Sequence, residues 1–106
     1  SNVMRMGVMG LTKSIAREFG NKNILANCIG AGKIDTPRVA VIDSNKARNQ
    51  GISTEALQAR EVASIPLGRY GTPAEFAKLT VWLCSPINSY VSGQNILVDG
   101  AAISAY

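Results

Sequence analysis

The sequence predicts an α/β fold on a parallel sheet, and three observations carry that expectation. Apolar residues recur at helical spacing across the first 19 positions. Two short apolar runs of strand length stand at 24–29 and 95–98, and a strongly capped helix precedes the second run. Strand, helix and strand in that order imply a right-handed parallel crossover.

Met4, Val8, Leu11, Ile15 and Phe19 recur three and four residues apart, with Lys13, Arg17 and Glu18 off that stripe, so an amphipathic helix is expected from Ser1 to Phe19. Gly20 follows the last periodic residue, where a left-handed conformation commonly ends a helix, and Asn21 to Asn23 form a polar turn. Ile24 to Ile29, interrupted by Asn27, should be a buried parallel strand that runs into the loop of Gly30, Ala31 and Gly32. Two weaker helical patterns come next, Pro37 to about Asn49 and Ser53 to about Ser64, separated by Gly51. Ser53 is placed as a cap and Glu55 lies in the first turn.

Thr72, Pro73, Ala74 and Glu75 combine a capping box with proline in the first helical turn. That helix should run to Cys84, burying Phe76, Leu79 and Leu83 with Val81 and Trp82 beside them, before Ser85 and Pro86 end it. Asn88 to Gly93 reads as a turn, Asn95 to Val98 as the second strand, and Asp99 with Gly100 as its exit. The order is helix, strand, helical excursion, helix, strand. It suits a single partial domain over residues 1–106.

Composition sets the class. With 106 residues, 46% hydrophobic and 17% charged, the chain is within the globular range for one modest core. The net charge of +4 is scattered rather than clustered, so neither nucleic acid nor membrane is an expected partner. No apolar run approaches the roughly 18 residues that span a bilayer, and no leader pattern opens the chain, so a cytoplasmic location is expected. The absence of histidine removes His-based triads and His metal sites, and no metal site is expected. Cys28 and Cys84 stand in separate apolar stretches and read as buried small hydrophobes. Gly7 and Gly10, on adjacent turns of the first helix, suggest close approach of another helix, since each costs about 1 kcal/mol relative to alanine.

The specific stretches are Gly10, Leu11, Thr12, Lys13 with Ala16, Arg17, Glu18; Asn27; Ile34, Asp35, Thr36, Pro37; Ile65 to Arg69; Ser92, Gly93, Gln94; and Val98, Asp99, Gly100. In this order and spacing, over essentially the whole chain, they resemble the C-terminal half of the short-chain dehydrogenase/reductase family, particularly its 3-oxoacyl-carrier-protein reductases. The resemblance implies part of a Rossmann-type parallel sheet, incomplete without its N-terminal half. It also implies a parent oxidoreductase that uses NAD or NADP on a carbonyl/alcohol pair. The family's glycine-rich pyrophosphate loop, the residue reading the ribose 2′ position and the catalytic serine belong to that first half. The 106 residues alone are therefore expected to be inactive and to bind no cofactor tightly.

The family's catalytic Tyr, with Lys four residues later, falls in this register on Ser1 and Arg5, so both are substituted. A serine hydroxyl is shorter and far less acidic than a phenol. Arg5 keeps a positive charge that could bond a ribose, but its planar fork differs from an ammonium. At the strand-end loop Ala31 stands where the family has proline, while Gly32, Ile34 and Thr36 match positions that contact nicotinamide and phosphate. These three with Arg5 are the cofactor candidates. Ser1 and Arg5 have a plainer alternative as a frayed terminus and a solvated helix residue, and Gly32 and Thr36 have one in simple loop shaping.

A rival expectation is a noncatalytic, self-associating module derived from the same family. The 24–29 strand would offer an unpaired apolar edge to a second copy, and Met4, Met6 and Met9 would be adaptable contacts in a homo-oligomer. Trp82 and Phe76 are assigned to the core rather than to a ligand platform.

Overall fold

The computed structural model describes residues 2–104. In chain order it contains α1 (Asn2–Phe19), β1 (Cys28–Ala31), α2 (Pro37–Gln50), α3 (Thr54–Ala63), α4 (Pro73–Cys84) and β2 (Asn95–Val98), with a 3-10 turn at Gly20–Lys22 after α1. The two strands pair in one sheet. The Cys28 amide donates to Gln94 O at 2.8 Å and the Gly32 amide to Val98 O at 2.9 Å. Both strands advance by four residues between these bonds, which is parallel register. The expected α/β class and element order are present.

Contacts cluster into two compact units. One takes the described chain up to Gly30 together with Lys78–Leu97, and the other takes Ala31–Ala77 with the stretch from Val98 onward.

In the first unit, the helix end departs from expectation. Gly20 opens the 3-10 turn, and the left-handed residue is Asn23 at φ 59°, its amide bonded to Gly20 O. Asparagine visits that region more readily than other side-chain-bearing residues, so the polar turn itself makes the stop. β1 also starts later than the apolar run, at Cys28 rather than Ile24. The Ala26 amide donates to Ser92 Oγ at 3.1 Å, and Asn27 donates to Val91 O at 2.9 Å while accepting from the Gln94 amide at 3.1 Å. Side-chain clips take the place of a ladder there. Buried Asn88 bonds Leu83 O and Val91 O through Nδ2 and accepts from the Val91 amide, which pins the turn before β2.

Leu83 is the buried hydrophobe of this unit among the described residues. Along the α1 stripe, Ile15 and Phe19 are half-buried, but Met4, Val8 and Leu11 are exposed by 75%, 51% and 60%. Nothing lies within 4 Å of a Cβ built on Gly7 or Gly10, so no helix approaches there among the described residues. Cys28 is half-buried and Cys84 exposed, and Val81 and Trp82 are exposed too, contrary to expectation. Apolar character states what can be buried; covering it needs a partner surface.

The second unit holds most of the core: Ile34, Ala47, Leu57 and Ile65. α2 begins with Thr36 as cap, its Oγ1 accepting from the Val39 amide at 3.2 Å, and ends at Gly51 with φ 67°. α3 is capped by Ser53, which accepts from the Ala56 amide at 3.1 Å. Leu57 is fully buried in this unit, worth about 2 kcal/mol in transfer free energy. The capping box opening α4 is reciprocal: the Thr72 amide donates to Glu75 Oε1 at 2.9 Å and the Glu75 amide to Thr72 Oγ1 at 3.1 Å. No described helix is long and apolar enough to cross a membrane.

Candidate functional site

The loop Gly32–Thr36 leaves the carboxyl end of β1, the place where parallel sheets offer a crevice to ligands. Its first residue must be glycine: a Cβ there would lie 2.6 Å from Asp99 Cβ and 2.7 Å from Asp99 Cα. The observed reason for Gly32 is thus the passage of the chain leaving β2. Asp99 is itself fixed, its carboxylate accepting from the amides of Ala101 at 3.0 Å and Ile103 at 3.1 Å.

Beyond Gly32 the loop is held like a short strand. The Gly71 amide donates to Lys33 O at 2.9 Å and the Asp35 amide to Gly71 O at 2.8 Å, making a parallel bridge centred on Ile34 and Gly71. In such a bridge the flanking residues supply the bonds, so the N–H and C=O of Ile34 itself face the opposite edge. The Ile34 side chain is buried. The main chain therefore offers one donor and one acceptor side by side from an anchored residue. Thr36, two residues on, uses its oxygen as the α2 cap and keeps its hydroxyl proton for donation.

Behind the loop sits a charged cluster. Asp43, on the second turn of α2, is fully buried and accepts from Lys33 Nζ at 2.8 Å, from the Tyr70 hydroxyl at 2.7 Å and, more weakly, from Gln58 Nε2 at 3.5 Å. The Lys33 ammonium also lies 5.7 Å from the Tyr70 ring centroid. Desolvation pushes the Asp43 carboxyl up, but the Lys33 and Tyr70 hydrogen bonds together with the Lys33 charge outweigh it and leave it below its ordinary value. Burial, then the Asp43 hydrogen bond and charge, raise the Tyr70 phenol. Neither periodicity nor any motif singles out Lys33, Asp43 or Tyr70. The available signal was Asp43 sharing a helix face with Val39 and Ala47, a carboxylate on the side that is otherwise buried.

Beside the loop, a cavity of about 90 Å³ is lined by Lys33, Ile34, Leu67, Arg69, Asp99 and Gly100 among others. Pockets for small molecules run to about 300–1,000 Å³, so this one suits a few waters. The Arg69 guanidinium grips Glu75 with both arms, at 2.7 and 2.8 Å, and with the Thr72 backbone bond holds that carboxyl down at about 2. A larger cavity of about 520 Å³ belongs to the first unit, where Thr12, Ile15, Leu25, Ile29 and Leu83 contribute to its walls.

Of the expected site residues, Gly32, Ile34 and Thr36 stand together in the second unit, whereas Arg5 is exposed on α1 in the first. Ser1 lies outside the described residues. Among the described residues no group of three or more His, Cys, Asp and Glu is placed to hold a metal ion.

The family model described as enoyl-(acyl carrier protein) reductase matches residues 1–101. A 3-oxoacyl-[acyl-carrier-protein] reductase FabG from Chlamydia trachomatis serovar D is 40% identical over 96 residues, 91% of this chain and 34% of that protein. A crystal structure of a short chain dehydrogenase family protein from Francisella tularensis matches with a TM-score of 0.89 at 29% identity, over 94% of this chain and 41% of that one. L-sorbose reductase from Gluconobacter frateurii, solved with NADPH and L-sorbose, matches with a TM-score of 0.87 at 28% identity, over 99% and 40%. The chain spans about a third of the length of the curated relatives it matches.

Proposed function

This chain belongs to the short-chain dehydrogenase/reductase family, and from that premise we propose that it forms the nicotinamide-side wall of an NAD- or NADP-dependent oxidoreductase acting on a carbonyl/alcohol pair. The observation that carries the proposal is the Ile34 main chain, anchored by its neighbours' bonds to Gly71 with its own N–H and C=O facing away. A carboxamide presents the complementary acceptor and donor, so this edge fits the amide of a nicotinamide. The cofactor, when bound, supplies or accepts the hydride.

The chain's own residues orient and bind. Ile34 fixes the carboxamide, the Thr36 hydroxyl donates to a phosphate or amide oxygen, and Gly32 lets the loop begin tight against Asp99. Arg5 bonds the ribose through its guanidinium N–H groups. With serine in place of the family's tyrosine, Ser1 or a water relays the proton. That 3-oxoacyl-carrier-protein and L-sorbose reductases are both relatives supports the reaction class without choosing a substrate. Because a glycine-rich pyrophosphate loop is not among these 106 residues, the stretch by itself is proposed to be one partial domain, catalytically silent and without a tightly held cofactor, in a cytoplasmic protein.

The test is restoration. Ser1→Tyr with Arg5→Lys, made together in the complete polypeptide that carries this chain, should raise carbonyl-reducing turnover with NADH or NADPH. Unchanged turnover in a folded, cofactor-binding protein would remove Ser1 and Arg5 from the reaction.

A second reading rests on α1. Val3, Met4, Met6 and Leu11 are all more than half exposed, an apolar surface that a second copy would cover. Self-association accompanies the enzymatic reading in an oligomeric oxidoreductase. It replaces that reading only if the complete polypeptide associates yet binds no nicotinamide cofactor.

A further inference from the structure

We infer that Lys33, Asp43 and Tyr70 form a lock that sets the position of the Gly32–Thr36 loop, and that they act as positioning residues for the cofactor rather than touching it. The inference rests on the proposed nicotinamide-side role of that loop. Three observations carry it. Lys33 is in the loop itself, between the glycine that must approach Asp99 and the isoleucine that presents its main chain. Its ammonium reaches across to a carboxylate with no solvent exposure on α2, the helix that Thr36 caps at the loop's other end. The third partner, Tyr70, immediately precedes Gly71, the residue whose N–H and C=O bracket Ile34.

Both sides of the loop are therefore tied to one buried anion. Asp43 fixes the Lys33 side chain, and through the Tyr70 hydroxyl it fixes the strap that holds the Lys33 carbonyl and the Asp35 amide. A buried carboxylate that loses one donor is left with charge uncompensated, and without the Tyr70 hydroxyl bond the Tyr70–Gly71 strap is no longer tied to the anion that holds Lys33. The Lys33 ammonium lies over the Tyr70 ring, 5.7 Å from its centroid, so removing the phenol oxygen alone leaves the ring contact in place. That separates the lock from simple packing.

The experiment uses Tyr70→Phe and Asp43→Asn in the complete polypeptide, with Gly32→Ala as a control for the loop itself. Cofactor affinity is measured by fluorescence titration with NADH and NADPH, and amide hydrogen exchange is followed across residues 32–36 and, for comparison, α3. The expected result for Tyr70→Phe is faster exchange in the loop with α3 unchanged. Cofactor affinity should be weaker by about ten- to a hundredfold, the scale on which losing a residue that supports a ligand-holding group acts, and KM for the carbonyl substrate should stay as it was. Unchanged loop exchange in both variants overturns the lock. Faster exchange with unchanged cofactor affinity, where Gly32→Ala weakens binding, overturns the positioning role and leaves the site intact. A wild-type protein that binds neither cofactor overturns the nicotinamide-side proposal itself, and loop exchange alone then decides whether the lock exists.

Discussion

Asp43 is a carboxylate with no exposed surface, placed where composition alone would put a hydrophobe. What makes it tolerable is its three donors, and that same arrangement sets its pH dependence. Its folded titration lies below the ordinary carboxylate value, so its contribution to stability is full above about pH 4 and drains as pH falls through the folded value. Tyr70 works in the opposite sense. Its folded titration is raised, so its contribution is full below about pH 10 and is lost as pH rises through the folded value. Melting temperature should therefore be insensitive to these two groups between those limits. A difference between wild type and Asp43→Asn that shrinks only below pH 4 checks the sign.

Two further residues separate loop shape from ligand contact. Gly32→Ala would press a methyl against Asp99, and overpacking of this kind costs about 1–3 kcal/mol; chemical denaturation reads it directly. Thr36→Ala removes the α2 cap, for which about 1 kcal/mol is expected, while Thr36→Ser keeps the oxygen and should restore both stability and cofactor affinity. A serine variant that recovers stability but not affinity would place the Thr36 methyl, not its hydroxyl, at the ligand.

At the scale of elements, legibility followed local chemistry. The start of α4 was plain in Thr72 and Glu75 because a capping box is four residues long and closes on itself. Thr72→Ala should cost about 1 kcal/mol. α2 and α3 were legible through Ser53, Gly51 and Pro37 for the same reason. β1 was legible as an element but not in its limits, because the bonds that delay its start come from Ser92 and from the Asn27 clip to the turn before β2, more than sixty residues along the chain. The lock escaped for a similar cause: Lys33, Asp43 and Tyr70 converge only once α2 and the strap before α4 are folded. Leu57, fully buried on α3, is the strongest test of the second unit's core. Leu57→Ala should cost about 2–5 kcal/mol, read by thermal or urea unfolding.

Across the whole molecule, the sequence pattern anticipated apolar faces more reliably than it anticipated what covers them. Met4, Val8 and Leu11 fall on the expected α1 stripe yet stay exposed, and Trp82 and Val81 do likewise on α4. Residues of these types lie outward when their partner surface is not among the described residues. The chain spans about a third of the length of its curated relatives, and a second copy would cover these faces. Sedimentation of the complete polypeptide should show an oligomer, and Met4→Lys with Leu11→Lys should lower its mass toward the monomer.

In the proposed function the Ile34 main chain receives the nicotinamide carboxamide. The most direct measurement is an isotope-edited NMR titration of the complete polypeptide with NADH and NADPH, following the backbone amide of Ile34. A saturable shift of that amide, larger than those of α3, is the predicted result. Saturable cofactor binding that leaves the Ile34 amide unmoved would contradict it.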